Sequence, residues 1–295
     1  LDFIALTDHN NTAGLSEIEQ HSPVTVIPGI EFTTFKGHAL GLNIDRYIPW
    51  TKNGTPQDPM HLSNEVRKQN GLFCLSHPNT MGDPVFPGCQ WTDERLQASA
   101  IDLLEVWHGD YEREAIGTIK TLLLWDALLL EGHRTVAVAG GDKHDAFTDE
   151  DAPGMPWTMI HAQSADCEDL TDALRRGKVY VTRGPLVDFW VEGGGRQTGI
   201  GEEAEFLRST MYLLCLTARG LGQGAYVRIF REGGIYVEMP LSSSGNSDLT
   251  FRCMADRDET WYRAEIYRYA KPRDQLLAFT NPIYVRRKAH GYLPA

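Results

Sequence analysis

The sequence predicts a two-part chain: a largely parallel α/β sheet or barrel over residues 1–182, followed by an antiparallel β-sandwich over residues 183–295. Two observations predict it. In the first half, short apolar runs alternate with helical stretches, the pattern of strands covered on both faces by crossover helices. Beyond Arg183 no helical periodicity returns, and strand-like runs recur between Gly- and Ser-rich turns.

Taken in order, the run Leu1 to Leu6 reads as a buried strand that ends at the polar loop Thr7-Asp8-His9-Asn10. Further strands are expected at Val24 to Ile27, Ala39 to Asn43, Leu72 to Leu75, Leu103 to Val106 and Thr135 to Ala139, with helices at Pro59 to Asn70 and Glu112 to Leu130. A helix at Asp166 to Arg176, capped by Gly177, leads into the strand Lys178 to Thr182 and the break Arg183-Gly184-Pro185. The β-rich remainder is expected to contain strands at Val187 to Val191, Met211 to Thr217, Tyr226 to Arg231, Leu249 to Met254, Tyr262 to Tyr269 and Ile283 to Arg286. Gly220-Leu221-Gly222-Gln223-Gly224 lies between two strands with no helix to receive a phosphate, and is read as a hairpin turn.

With 295 residues, 42% of them hydrophobic, the chain is long enough to bury one large core or two. A formal charge of −12 argues against a nucleic-acid partner, because such binding rests on clustered Lys and Arg. No window approaches the roughly 18 uninterrupted apolar residues of a membrane span. The expected partner is therefore a small molecule, neither nucleic acid nor membrane, and oligomeric state is left open. The five cysteines are odd in number and include no C-x-x-C pair, which argues against a disulfide framework or a thiolate zinc site. A cytoplasmic setting is favoured, while a signal upstream of Leu1 keeps the compartment open.

Ligand-type residues recur where strands give way to loops: His9, Glu31, His38, His77, and then Asp142 and His144 in Gly140-Gly141-Asp142-Lys143-His144. Each has an ordinary explanation alone, as a turn residue or a surface charge. Recurrence at one kind of structural place is harder to produce by core packing. In parallel α/β folds such loops converge beyond the carboxyl ends of the strands. Imidazole and carboxylate donors without thiolate suit zinc, manganese or iron. Two such ions about 4 Å apart share a hydroxide that attacks an electrophilic centre, so hydrolysis is the natural chemistry. No G-x-S-x-G elbow offers a serine alternative.

The motifs Thr7-Asp8-His9, Pro28-Gly29-Ile30-Glu31, Gly37-His38, Ser76-His77-Pro78, Glu105-Val106-Trp107 and Gly141-Asp142-Lys143-His144 resemble the polymerase-and-histidinol-phosphatase (PHP) domain over roughly Leu1 to Thr182. The Val181 to Pro185 turn, the β-rich tail and Thr280-Asn281-Pro282-Ile283-Tyr284 are similar, more narrowly, to CehA/McbA-type metallohydrolases. The resemblance implies a distorted (β/α)7 barrel, TIM-like, with its first strand missing and up to three divalent transition metals in the full-length domain. Glu31 would bridge the first two metals and His38 with His77 would complete the second. Asp142 would serve the first, and His9 with His144 the third. The family's opening His-x-His strand would lie upstream of Leu1, leaving the first metal only Glu31 and Asp142.

Asp8, Lys143 and His108 are candidate catalytic groups. His108 stands where such proteins often carry Asn and is read first as a pocket residue or as a donor that steadies a ligand. Lys143, Arg183 and Trp107 are candidate substrate-binding residues, the two cations for an anionic substrate. The expected activity is that of a metal-dependent phosphoesterase. A carbamate, ester or amide hydrolase on the same site is the alternative within enzymes, and a non-catalytic binding module with a degenerate barrel is the alternative outside them.

Overall fold

The computed structural model describes residues 1–80, 89–142, 155–242 and 245–288. The chain divides into two compact units, residues 1–156 with 160–175, and residues 157–159 with 176–295.

The first unit contains, in chain order, β1 (Phe3–Leu6), α1 (Leu15–His21), β2 (Thr25–Thr34), β3 (Gly37–Leu42), the short hairpin β4 (Thr51–Lys52) and β5 (Thr55–Pro56), α2 (Pro59–Lys68), β6 (Leu72–Leu75), β7 (Leu103–His108), α3 (Tyr111–Leu130) and β8 (Val136–Gly140). Strand β9 (Trp157–Ile160) follows, and α4 (Cys167–Arg175) returns to this unit. The six main strands form one mixed sheet in the order β1-β2-β3-β6-β7-β8. β1 pairs with β2, β6 with β7 and β7 with β8 in parallel, whereas β2 with β3 and β3 with β6 are antiparallel.

This sheet corrects the expected (β/α)7, TIM-like barrel. The described residues are 45% strand and 17% helix, with four α-helices, far fewer than a ring of βα repeats needs. The sheet also runs from β1 at one end to β8 at the other without closing. The reason lies at Phe35-Lys36. A parallel neighbour requires a crossover of a dozen or more residues, but β2 turns straight back into β3 through these two residues. Gly37 makes the turn possible at φ +140, where an added Cβ would lie within 2.3 Å of Trp91. The strand β2 is also longer than expected, running through Pro28 to Thr34, so Glu31 sits inside a strand and not beyond its end.

Packing follows the residue pattern. β6 and the first five residues of β7 are buried without interruption. α2 starts where the Asp58 carboxylate accepts from the Met60 amide at 2.8 Å with Pro59 in its first turn, and it buries Leu62 and Val66 against Phe32 and Phe73.

The second unit holds β10 (Val179–Thr182), β11 (Leu186–Gly193), β12 (Arg196–Gly199), β13 (Glu203–Phe206), β14 (Met211–Arg219), β15 (Ala225–Arg231), β16 (Gly234–Pro240), β17 (Asn246–Met254), β18 (Glu259–Arg268), β19 (Gln275–Thr280) and β20 (Ile283–Arg287). One sheet has the order β12-β11-β14-β17. The other runs β13-β20-β18-β19-β10-β9, with β15 pairing β18 and β16 pairing β15. In β11 the residues Val187, Phe189 and Val191 are buried while Leu186, Asp188 and Glu192 are exposed, the period-two pattern of a strand with one face on a core. They share one hydrophobic cluster with Val227, Ile266 and Ile283 of the other sheet. The Gly220 to Gly224 segment is not a hairpin turn. It links β14 of one sheet to β15 of the other, two strands that do not pair.

Candidate metal centre

Glu31, His38 and His77 come from β2, β3 and the loop after β6, and their donor atoms lie within 4.8 Å of one another. All three side chains are buried. The placement follows from strand geometry. Ile30, Phe32 and Ala39 point into the hydrophobic cluster under the sheet, so their neighbours Glu31 and His38 face the other way. His38 pairs across the hairpin with Thr33, two residues from Glu31 and on the same face. Its Nδ1 lies 3.0 Å from Glu31 Oε1. His77 Nε2 lies 3.6 Å from the same oxygen.

His77 is held from behind. Its Nδ1 is 3.0 Å from the Cys89 carbonyl oxygen, to which it donates, and this leaves Nε2 directed at Glu31. The residue adopts φ +27 and precedes Pro78, a sparsely populated conformation of the kind that persists where a site demands it. Asp142 likewise has a positive φ, +45.

The electrostatics are those of an anion among imidazoles. Burial opposes ionisation of Glu31, but the hydrogen bonds from His38 and His77 and the nearby histidine charges outweigh it and hold the carboxyl at a pKa of about 2. Burial also opposes charge on His77, yet the Glu31 hydrogen bond and the field of Glu105 lift it to about 9.

Around this group the remaining expected residues fall unevenly. His9 is exposed, its Nδ1 3.2 Å from Glu31 Oε2 and 2.5 Å from Thr33 Oγ1. The Asn10 side chain clamps this loop to β2 through both backbone groups of Thr33, at 3.0 and 3.1 Å. His108 approaches His77 with ring centroids 4.6 Å apart, and its Nε2 is 3.8 Å from Asp142 Oδ2. Asp8 lies on the same loop as His9. Its backbone oxygen accepts from the Glu31 amide, and its carboxylate is exposed near Gly14. Trp107 is fully buried and packs edge-on against Tyr111 at 5.3 Å, a core position. Arg183 belongs to the second compact unit. Lys143 and His144 lie outside the described residues.

One residue of the site was not singled out in the sequence. Glu105 is buried, and its Oε1 is 2.7 Å from His108 Nδ1. Strict alternation would set residues 105 and 108 on opposite faces of β7. A bulge between Glu105 and Trp107 in the pairing with β8 shifts the phase and brings both to one side. Gly140 opposite leaves the space, since a Cβ there would lie 2.6 Å from Glu105 Oε1. Gly140→Ala is therefore expected to displace Glu105 and to cost about 1–3 kcal/mol of overpacking. Denaturant unfolding reads the cost, and an unchanged midpoint would show that Glu105 has room to yield.

A buried Glu/His/His group can hold a metal ion, and the residues present fit one. The set offers one carboxylate and two imidazoles, and His38 Nε2 is buried with no hydrogen-bond partner among the described residues. No family model and no curated protein sequence matches this chain.

Proposed function

We propose that the chain is a metal-dependent hydrolase acting on an anionic small molecule, most directly a phosphoester, with a divalent zinc, manganese or iron ion held by Glu31, His38 and His77. The observation that carries this reading is the convergence of three buried donors on one point, with a buried His38 nitrogen left without a partner among the described residues. Such an ion acts as a Lewis acid on a phosphoryl or carbonyl oxygen and makes water a stronger nucleophile.

The chain's own groups divide the remaining work. Glu31 supplies the charge that makes the site selective for a cation, and the Cys89 carbonyl fixes the ring of His77. His108 is anchored through Nδ1 by Glu105, which leaves Nε2 facing Asp142 and available to pass a proton to a departing oxygen. The imidazoles of His9 and His108, which the proposed ion does not use, provide donors for anionic oxygens, which favours a phosphoester over a neutral ester. PHP-type chemistry is the reading that unites these features, on an open sheet in place of a barrel.

The test is hydrolysis of chromogenic phosphomonoesters, phosphodiesters and a naphthyl carbamate by protein loaded with zinc, manganese or iron. Turnover of a phosphoester should be metal-dependent, should disappear on chelation, and should fall at least 100-fold in His77→Ala with the fold retained by circular dichroism. Carbamate turnover alone would move the substrate class to carbonyl compounds. Wild-type rates in His77→Ala would remove the triad from the reaction.

A further inference from the structure

The helix α3 carries an apolar stripe that its own unit does not cover. Its inner side, with Ala115, Leu122, Trp125 and Leu129, is buried. On the outer side Ile116 is 50% exposed, Ile119 38%, Leu123 65% and Leu130 59%, and Ala127 is exposed among them. At 3.6 residues per turn these five positions fall within about 80° of arc, one continuous stripe. Contiguous exposed patches of this kind on a folded protein usually mark an interaction surface.

The spacing of the stripe fits a second copy of the same helix. Counted from Leu123, the five residues stand at −7, −4, 0, +4 and +7, and Leu124, 36% exposed, borders them at +1. A contact related by a two-fold axis requires that residue i meets j whenever j meets i. Two copies of α3 packed antiparallel about an axis through Leu123 satisfy that condition for the five positions. Leu123 meets its counterpart, Ile119 of each copy meets Ala127 of the other, and Ile116 meets Leu130.

The charges on the rim agree. Arg113 and Glu131 stand at −10 and +8 from Leu123 and at the same angle on the helix. In the antiparallel pair each Arg113 therefore comes within one turn of the other copy's Glu131, giving two opposite-charge contacts. Arg113 has no ion-pair partner among the described residues, and Glu131 has only His133 at 3.9 Å. A membrane surface is a poorer fit. Among the described residues no helix is long and apolar enough to cross a bilayer, and a net charge of −12 opposes adsorption to anionic lipid.

We infer that this face of α3 is the interface of a symmetric homodimer, with the two helices antiparallel and Leu123 on the two-fold axis. The inference is independent of the metal site. Light scattering after size exclusion, at micromolar concentration of the whole chain, should give the mass of two chains. Leu123→Glu sets two carboxylates against each other on the axis and should yield monomers with an unchanged circular dichroism spectrum. Leu123→Ala, a milder variant, should weaken the dimer at least 10-fold. Arg113→Glu should also weaken it, and adding Glu131→Arg should restore it. Under mild oxidation Leu123→Cys should form a dimer linked through position 123 to itself, as peptide mapping would show. The inference is overturned by a monomeric wild-type chain, by a dimer indifferent to the Leu123 variants, or by a monomer that binds neutral phospholipid vesicles through this helix.

Discussion

Glu31→Gln is expected to lower the affinity for a divalent transition metal by at least 100-fold while the chain still folds. The carboxamide keeps the shape of the side chain but removes the only buried anion among the three donors, and a neutral amide oxygen is a poor partner for such an ion. The same substitution should change the pH dependence of the metal-free protein. Glu31 titrates at about 2 in place of its ordinary 4.5, a difference worth about 3 kcal/mol of stability. Because its folded value is depressed, that stability is present above 4.5 and is lost as the pH falls through about 2. His77 is raised from 6.5 to about 9, so its share is complete below 6.5 and is lost as the pH rises through about 9. Both shifts describe one coupling and are counted once. The wild-type chain should therefore exceed the Gln variant in stability most clearly between about pH 4.5 and 6.5, with the gap closing on both sides. Calorimetric titration with zinc or manganese and urea unfolding across pH measure the two effects. Undiminished metal affinity would exclude Glu31 as a ligand.

Glu265→Ala is expected to destabilise the second unit by about 3–5 kcal/mol, among the largest single-site effects available in this chain. Arg263 and Glu265 are both buried on β18, two residues apart and therefore on one face, with Arg263 Nη1 donating to Glu265 Oε1 at 2.5 Å. Tyr267 donates to the other carboxylate oxygen at 2.7 Å, and the guanidinium lies 4.2 Å from the centroid of the Phe230 ring. Removing the carboxylate takes away a counter-charge of a guanidinium that is almost wholly buried. Replacing both partners, as Arg263→Met with Glu265→Leu, should cost much less, since two desolvated charges are removed together. Chemical denaturation of the single and double variants decides it, and a single variant within about 1 kcal/mol of wild type would show that the pair is solvated.

How much of this was legible in the sequence follows from what periodicity carries. The helices at 59–68, 111–130 and 167–175 and the alternating strand β11 show in the spacing of apolar residues, because a helix or a half-buried strand writes its period into the chain. Strand direction does not. The run Leu72 to Leu75 is buried on both faces and reads the same beside a parallel or an antiparallel neighbour, so the β2–β3 hairpin and the open mixed sheet escaped notice. The signal for that hairpin was the two-residue interval Phe35-Lys36 ahead of Gly37, too short for a crossover helix. At the site, Glu31, His38 and His77 were legible as ligand types in recurring places. The place differs for Glu31, which lies within a strand and not beyond its end. Glu105 is legible only as part of the Glu105-Val106-Trp107 motif, because its side chain reaches the site through a bulge that no alternation rule anticipates.

Anomalous scattering from crystals of the protein grown with manganese or zinc tests the central claim most directly. The expected result is a peak with a Glu31 carboxylate oxygen and one ring nitrogen each of His38 and His77 at about 2.0–2.2 Å from the ion. Peaks confined to exposed histidines or carboxylates, with none at the triad, would contradict it.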